Sequence, residues 1–149
     1  TYFPGDPNFS SMLMEVDVTP LTDGRVTGYQ IVMGWDGDFL YMFEVQSNGD
    51  CRFLKYLIGD TGHRIIESSP FFSCPHLEQN ETTAVRLEVD PFGLMRAFIG
   101  GKYIGDNIFL EYSGGLIGLG TYNGGTTSSD IETSVKFDNL VIYPYPRQY

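Results

Sequence analysis

Turn-forming residues recur along this chain at short, nearly even intervals, and that spacing restricts its fold more than any other feature. Asp23-Gly24, Asp36-Gly37, Asn48-Gly49, Gly59-Asp60-Thr61-Gly62, Asp90-Pro91-Phe92-Gly93, Gly100-Gly101, Gly114-Gly115 and Asn123-Gly124-Gly125 divide it into segments of strand length. Turn signals about 8 to 12 residues apart are what a sandwich or barrel of short strands produces. No segment keeps a helical apolar period for more than about three turns, the length a core helix would need. The predicted architecture is therefore all-β, with two antiparallel sheets face to face. The polar stretch 124–130 reads as a loop, and with no internal repeat or linker the expectation is a single β-sandwich domain spanning residues 1–149.

The clearest local unit is a hairpin on Asn48-Gly49, because a two-residue type I′ turn needs positive φ at both central positions. Counting outward from such a turn pairs Gln46 with Cys51, Glu44 with Phe53, Phe43 with Leu54, Met42 with Lys55 and Tyr41 with Tyr56. One face then carries Phe39, Tyr41, Phe43, Val45, Leu54, Tyr56 and Ile58 and is expected to be core. The other mixes Leu40, Met42, Glu44, Phe53, Lys55 and Leu57, as on a sheet partly open to water. Upstream, Tyr29, Ile31, Met33 and Trp35 alternate with Gln30, Val32 and Gly34 and predict a third strand of the same sheet. Downstream, Val85, Leu87 and Val89 alternate with Ala84, Arg86 and Glu88. Glycines within Gly115-Leu116-Ile117-Gly118-Leu119-Gly120 mark a bent or closely approached strand. In the last strand Val135 and Phe137 share one parity but Leu140 and Ile142 the other, which predicts a bulge near Asp138-Asn139.

Charge narrows the partners. The formal net charge is −10 with nine Lys and Arg residues, so a phosphate backbone or an anionic membrane surface is repelled. Nucleic acid is not an expected partner. Neither is membrane insertion, since no apolar run approaches the roughly 20 residues that span a bilayer. Divalent cations, neutral glycans and basic protein patches stay compatible. The chain opens at Thr1, and the expectation is a domain excised from a larger protein. Asn8-Phe9-Ser10 and Asn80-Glu81-Thr82 match the glycosylation acceptor pattern of secreted eukaryotic proteins. Cys51 and Cys74 fit one disulfide in an oxidising compartment or two thiols in a reducing one. The loop-like setting Ser73-Cys74-Pro75-His76 favours the tether. Zinc lacks ligands, because only His63 and His76 could join the pair and their spacing fits no four-ligand pattern.

Several strand signatures then carry a resemblance: Asp38-Phe39-Leu40-Tyr41-Met42-Phe43-Glu44-Val45, Arg52-Phe53-Leu54-Lys55-Tyr56, Val85-Arg86-Leu87-Glu88-Val89, Phe98-Ile99-Gly100-Gly101, Gly115-Leu116-Ile117-Gly118-Leu119 and Phe137-Asp138-Asn139-Leu140-Val141-Ile142. In this order the chain, over residues 12–144, resembles the concanavalin A-like lectin/glucanase superfamily, especially the laminin G-like modules of bacterial surface and secreted proteins. The resemblance implies a jelly-roll of two curved sheets whose concave face, in several relatives, receives carbohydrate. It also implies an extracellular, cell-surface or periplasmic setting. Lectins, hydrolases, binding modules and protein-binding ectodomains share this fold, so fold alone does not select a function.

Glucanase relatives place Glu-x-Asp-x-x-Glu on one strand. Glu15 and Asp17 supply the first two positions, but no carboxylate follows in Val18-Thr19-Pro20, and the pair is read as solvated carboxylates. No Gly-x-Ser-x-Gly elbow or phosphate loop is present, and neither histidine has a paired nucleophile. No catalytic residue is assigned. The enzymatic alternative is a glycoside hydrolase or a polysaccharide lyase, the latter using Tyr and His. Sugar recognition stacks an aromatic ring on a pyranose while carboxylate, amide or guanidinium groups bond its hydroxyls. Trp35, with Gln30, Glu44, Lys55 and Arg86, is the expected ligand-binding set. The bland counterpart makes Trp35 core and Glu44 with Lys55 a cross-strand ion pair of little weight. The resemblance further implies a structural calcium held by Asp138, with Asp6 and carbonyls around Gly5 completing the oxygens. Its competitor is Asp138 capping the bulge by bonding backbone amides. The leading expectation is a non-catalytic glycan-binding module, and the second a structural or protein-interaction domain.

Overall fold

The computed structural model describes residues 2–3, 11–21, 28–46, 48–59, 62–76, 78–122 and 134–144. These form twelve strands and no helix: β1 (Tyr2–Phe3), β2 (Met12–Pro20), β3 (Gly28–Trp35), β4 (Phe39–Val45), β5 (Asp50–Gly59), β6 (Gly62–Ser68), β7 (Phe72–Ser73), β8 (Thr83–Val89), β9 (Leu94–Ile99), β10 (Lys102–Ile108), β11 (Ile117–Tyr122) and β12 (Val135–Pro144). The first sheet runs β1-β11-β3-β4-β5-β6, with β7 also on β5, and the second β10-β9-β8-β2-β12. Every pairing is antiparallel.

Period-two alternation explains why the sheets stack. Met12, Met14, Val16 and Val18 of β2, Val85, Leu87 and Val89 of β8, and Met95, Ala97 and Ile99 of β9 point inward, where they meet Tyr29, Ile31 and Met33 of β3 and Tyr41, Phe43 and Val45 of β4. All are buried, and burial of apolar surface on this scale drives the association of the layers. The sequence reading of β3, β4 and β8 as inward faces holds for these residues.

The hairpin register does not hold. Val45 lies opposite Cys51, Phe43 opposite Phe53 and Tyr41 opposite Lys55, one residue away from the expected pairing. Gln46 donates its N–H to Asp50 O (2.8 Å) and its carbonyl accepts the N–H of Gly49 (3.1 Å). Asn48 Oδ1 also accepts the N–H of Asp50 at 2.9 Å. Only Gly49 carries the positive φ, at 91°, so the turn is not the two-residue form that Asn-Gly favours. A one-residue slip exchanges the faces of a strand. Cys51 and Phe53 are core, whereas Leu54, Tyr56 and Ile58, expected inside with Tyr41, lie on the opposite side.

Two bulges behave differently with respect to expectation. The predicted one is present: β12 shifts register between Asp138 and Val141, and Asn139 there has φ 52°. A second, between Val32 and Gly34, interrupts the pairing of β3 with β4. It turns Trp35 away from the face that Tyr29, Ile31 and Met33 occupy.

Cys51 and Cys74 are joined, with 5.9 Å between their Cα atoms. Around the bond, Asp50 and Cys51 pair with Ser73 and Phe72, and Cys74 donates its N–H to Gly49 O at 2.7 Å. The tether closes a loop of 23 residues in sequence separation, which is worth roughly 3 kcal/mol through the entropy of the unfolded chain. Reduction, or a double Cys→Ala replacement, should lower the denaturant midpoint and raise the m-value, because the freed unfolded chain exposes more surface. An unchanged midpoint would show that the bond contributes nothing.

Candidate functional site

The side of the first sheet that faces away from the second is built in rows, because residues directly opposite on neighbouring strands project together. The first row crosses four strands as Gly120, Gln30, Glu44 and Arg52. The next is Gly118, Val32, Met42 and Leu54. Beyond the β3 bulge comes Trp35, Leu40 and Tyr56. Val32, Leu40, Met42 and Leu54 form an apolar floor, against which Trp35, Tyr56 and Ile58 pack. On β11 these rows hold Gly118, which lies opposite Tyr2 of β1, and Gly120, where an added methyl group would meet nothing within 4 Å. The missing side chain at Gly120 leaves a shelf beside Gln30.

The polar row is held rigidly. Glu44 is 1% exposed, and burying a carboxylate requires that donors occupy it. Arg52 Nε lies 3.0 Å from Glu44 Oε2, Gln30 Nε2 donates to Oε1 at 3.2 Å and Gln46 Nε2 to Oε2 at 3.4 Å. The Arg52 guanidinium in turn lies over the exposed ring of Phe71, 4.6 Å from its centroid. Amide and guanidinium are thereby fixed beside an open shelf. Such an arrangement can hydrogen-bond hydroxyl groups without first ordering its own side chains.

Of the five ligand-binding residues expected from sequence, Gln30, Glu44 and Trp35 are brought to this face and two are not. Lys55 follows the corrected register to the inner side of β5. There it is 3% exposed, lies 4.4 Å from the Phe39 ring centroid and bonds Glu111 Oε2 at 2.7 Å. The expected Glu44–Lys55 pair is replaced by Glu44–Arg52. Arg86 belongs to β8 in the second sheet, where its guanidinium reaches Glu88 (2.8 Å) and Glu15 (3.8 Å). Sequence reasoning missed Arg52 and Tyr56. With a three-residue rather than two-residue connection, Arg52 would have fallen opposite Glu44, so the signal was the register itself.

Burial raises the hydroxyl pKa of Tyr29 and Tyr112 above the ordinary range. Tyr112 donates to Met33 O at 2.8 Å. Burial pulls Lys55 down, but the Glu111 carboxylate and the Tyr41 hydroxyl hold its ammonium above its usual value. The same hydrogen bond and charge lower Glu111. The contact fastens the turn after Phe109 to the sandwich end, beside Trp35. Trp35 also exchanges two backbone hydrogen bonds with Leu116, each 3.0 Å.

Asp138 lies in the bulge, where its Oδ1 accepts the N–H of Asn139 at 2.9 Å and Lys136 Nζ stands 3.5 Å from Oδ2. A hard dication wants several oxygens and no adjacent ammonium. Among the described residues no three Asp, Glu, His or Cys side chains gather into a metal-holding group, and the carbonyls around Gly5 expected to complete the calcium site lie outside them. Asp6 lies outside the described residues. Glu15 and Asp17 stand on the outward face of the second sheet, as solvated carboxylates were expected to.

The sequence matches no protein-family model and no curated protein. Its backbone is similar to solved structures. Galectin LEC-6 of Caenorhabditis elegans superposes with a TM-score of 0.66 at 12% identity, covering 96% of this chain and 89% of that one. A tetrameric galectin from the ball sponge Cinachyrella sp. gives 0.66 at 15% identity, covering 96% and 98%. The carbohydrate binding module CBM66 from Bacillus subtilis gives 0.61 at 14%, covering 95% and 76%. These are jelly-roll β-sandwiches, and this chain has the same fold. At such identities the likeness is of fold.

Proposed function

We propose that this chain is a non-catalytic carbohydrate-binding module that receives a glycan on the outward face of its first sheet. The observation that carries this reading is the row Gln30–Glu44–Arg52, locked in place beside the open shelf at Gly120 and leading over an apolar floor to Trp35 and Tyr56. Polar groups at one end can bond hydroxyls, and rings at the other can cover the apolar face of a pyranose. The similar folds named galectin and carbohydrate binding module support the ligand class. The disulfide favours an oxidising, extracellular or periplasmic setting.

The test is a glycan array followed by titration of the best binder. Arg52→Ala should weaken binding by about 10- to 100-fold, the worth of a hydrogen bond to a charged group, and Trp35→Ala by about tenfold. Lys55→Met should leave affinity unchanged. Uniform silence on the array would overturn the reading in favour of a structural or protein-interaction domain.

A further inference from the structure

The second sheet has its own outward face, and the rows there build a depression that the function above does not use. One row runs Tyr103, Phe98, Arg86, Glu15 and Val141 across all five strands. The adjacent row holds Asp17 and Ala84, and the N–H of Gly100 donates to Ala84 O at 2.8 Å. Between the large row and the small residues Ala84 and Gly101 lies a concavity of about 570 Å³, within the size range of small-ligand sites.

Its polar groups converge and are fixed from independent directions. Asn139 adopts positive φ in the β12 bulge, a conformation that strains most non-glycine residues. Its Nδ2 donates to Asp17 Oδ2 at 2.8 Å. Arg86 is braced by Glu88 and Glu15 and lies over the Phe98 ring at 5.9 Å, and that ring is braced edge-on by Tyr103 at 5.6 Å. The lining offers carboxylate acceptors, an amide that donates and accepts, a guanidinium donor and an aromatic surface. Two carboxylates, Glu15 and Asp17, against one guanidinium disfavour a phosphate, sulfate or uronate. Arg86 disfavours a cation. A neutral polyhydroxylated ring satisfies every group.

We propose that this depression is a second binding site, for a neutral pyranose residue, on the side of the sandwich opposite the first. The inference rests on carbohydrate as the ligand class proposed above. It makes the module bivalent, able to bridge two glycan chains from opposite faces.

Backbone amide shifts separate the sites. A panel of galactose, glucose, mannose and N-acetylglucosamine is titrated into the ¹⁵N-labelled chain. At least one sugar should shift amides around Asp17, Ala84 and Asn139 as well as those around Gln30, Glu44 and Arg52. Asp17→Ala and Asn139→Gly, the latter suited to the positive φ, should each raise the Kd of the second-sheet shifts at least tenfold and spare the first-sheet set. Absence of second-sheet shifts, or their persistence in both variants, overturns the second site. First-sheet shifts alone would leave the proposed function standing, whereas second-sheet shifts alone would uphold the depression as a sugar site but refute both the proposed face and bivalency.

Discussion

Gly93→Ala should lower the unfolding free energy by roughly 4 kcal/mol, the sum of backbone strain and overpacking. Gly93 has φ 83°, which an L side chain rarely adopts. A Cβ there would press into the carbonyl oxygen of Phe109 and lie 3.1 Å from its carbon. These are backbone atoms, so no rotamer change relieves the contact. Phe109 cannot retreat: it is 1% exposed, its N–H donates to Gly93 O at 3.0 Å, and its ring meets Tyr41 edge-on at 5.3 Å. Gly37 is the control. It has φ 102° but nothing within 4 Å of its added Cβ, so Gly37→Ala should cost only about 1 to 2 kcal/mol. Urea unfolding of the two variants measures the difference. Equal losses would refute the close packing of the turn before β9 against Phe109.

Phe53→Ala should cost about 4 kcal/mol, and it tests the register directly. In the structure Phe53 is fully buried between the sheets, with its ring 5.1 Å from that of Phe43 and 6.4 Å from that of Phe72. Its neighbours belong to both β4 and β7, so the space cannot close when the ring is removed. Tyr56 is half-buried on the outward side, and Tyr56→Ala should cost under about 2 kcal/mol. The two-residue turn makes the opposite claim, since it puts Tyr56 in the core and Phe53 outside. Thermal unfolding of the pair decides between them: a larger loss at Tyr56 than at Phe53 would reinstate the register read from Asn48-Gly49.

Much of the candidate site was legible in sequence, and what was lost went by identifiable routes. Gln30 and Glu44 were placed together correctly because β3 and β4 alternate without ambiguity up to Val32. Trp35 reached the same face for a reason the alternation hides. Gly34 sits in a bulge where a Cβ would come within 2.7 Å of Gly114 O and 2.9 Å of the Tyr112 ring, and the shift this close approach accompanies reverses the parity of Trp35. Lys55 and Arg52 exchanged roles through a single residue in a turn, since a strand with side-chain period two converts any slip into a change of face. Arg86 was misplaced for a different reason. Its strand pattern is plain, but nothing local tells β8 which sheet to join.

Alternation and the spacing of turn signals, both readable in the chain itself, determined that it is all-β, which residues of β3, β4 and β8 point inward, and where β12 bulges. Those properties depend on neighbours within a few residues, where sterics and side-chain period act directly. Which sheet β8 joins, the register of β4 on β5, and the bringing of Arg52 and Trp35 to the face that holds Gln30 and Glu44 were decided only in three dimensions. They depend on contacts between residues distant in sequence, whose energies take effect only when both sheets have closed over one shared core.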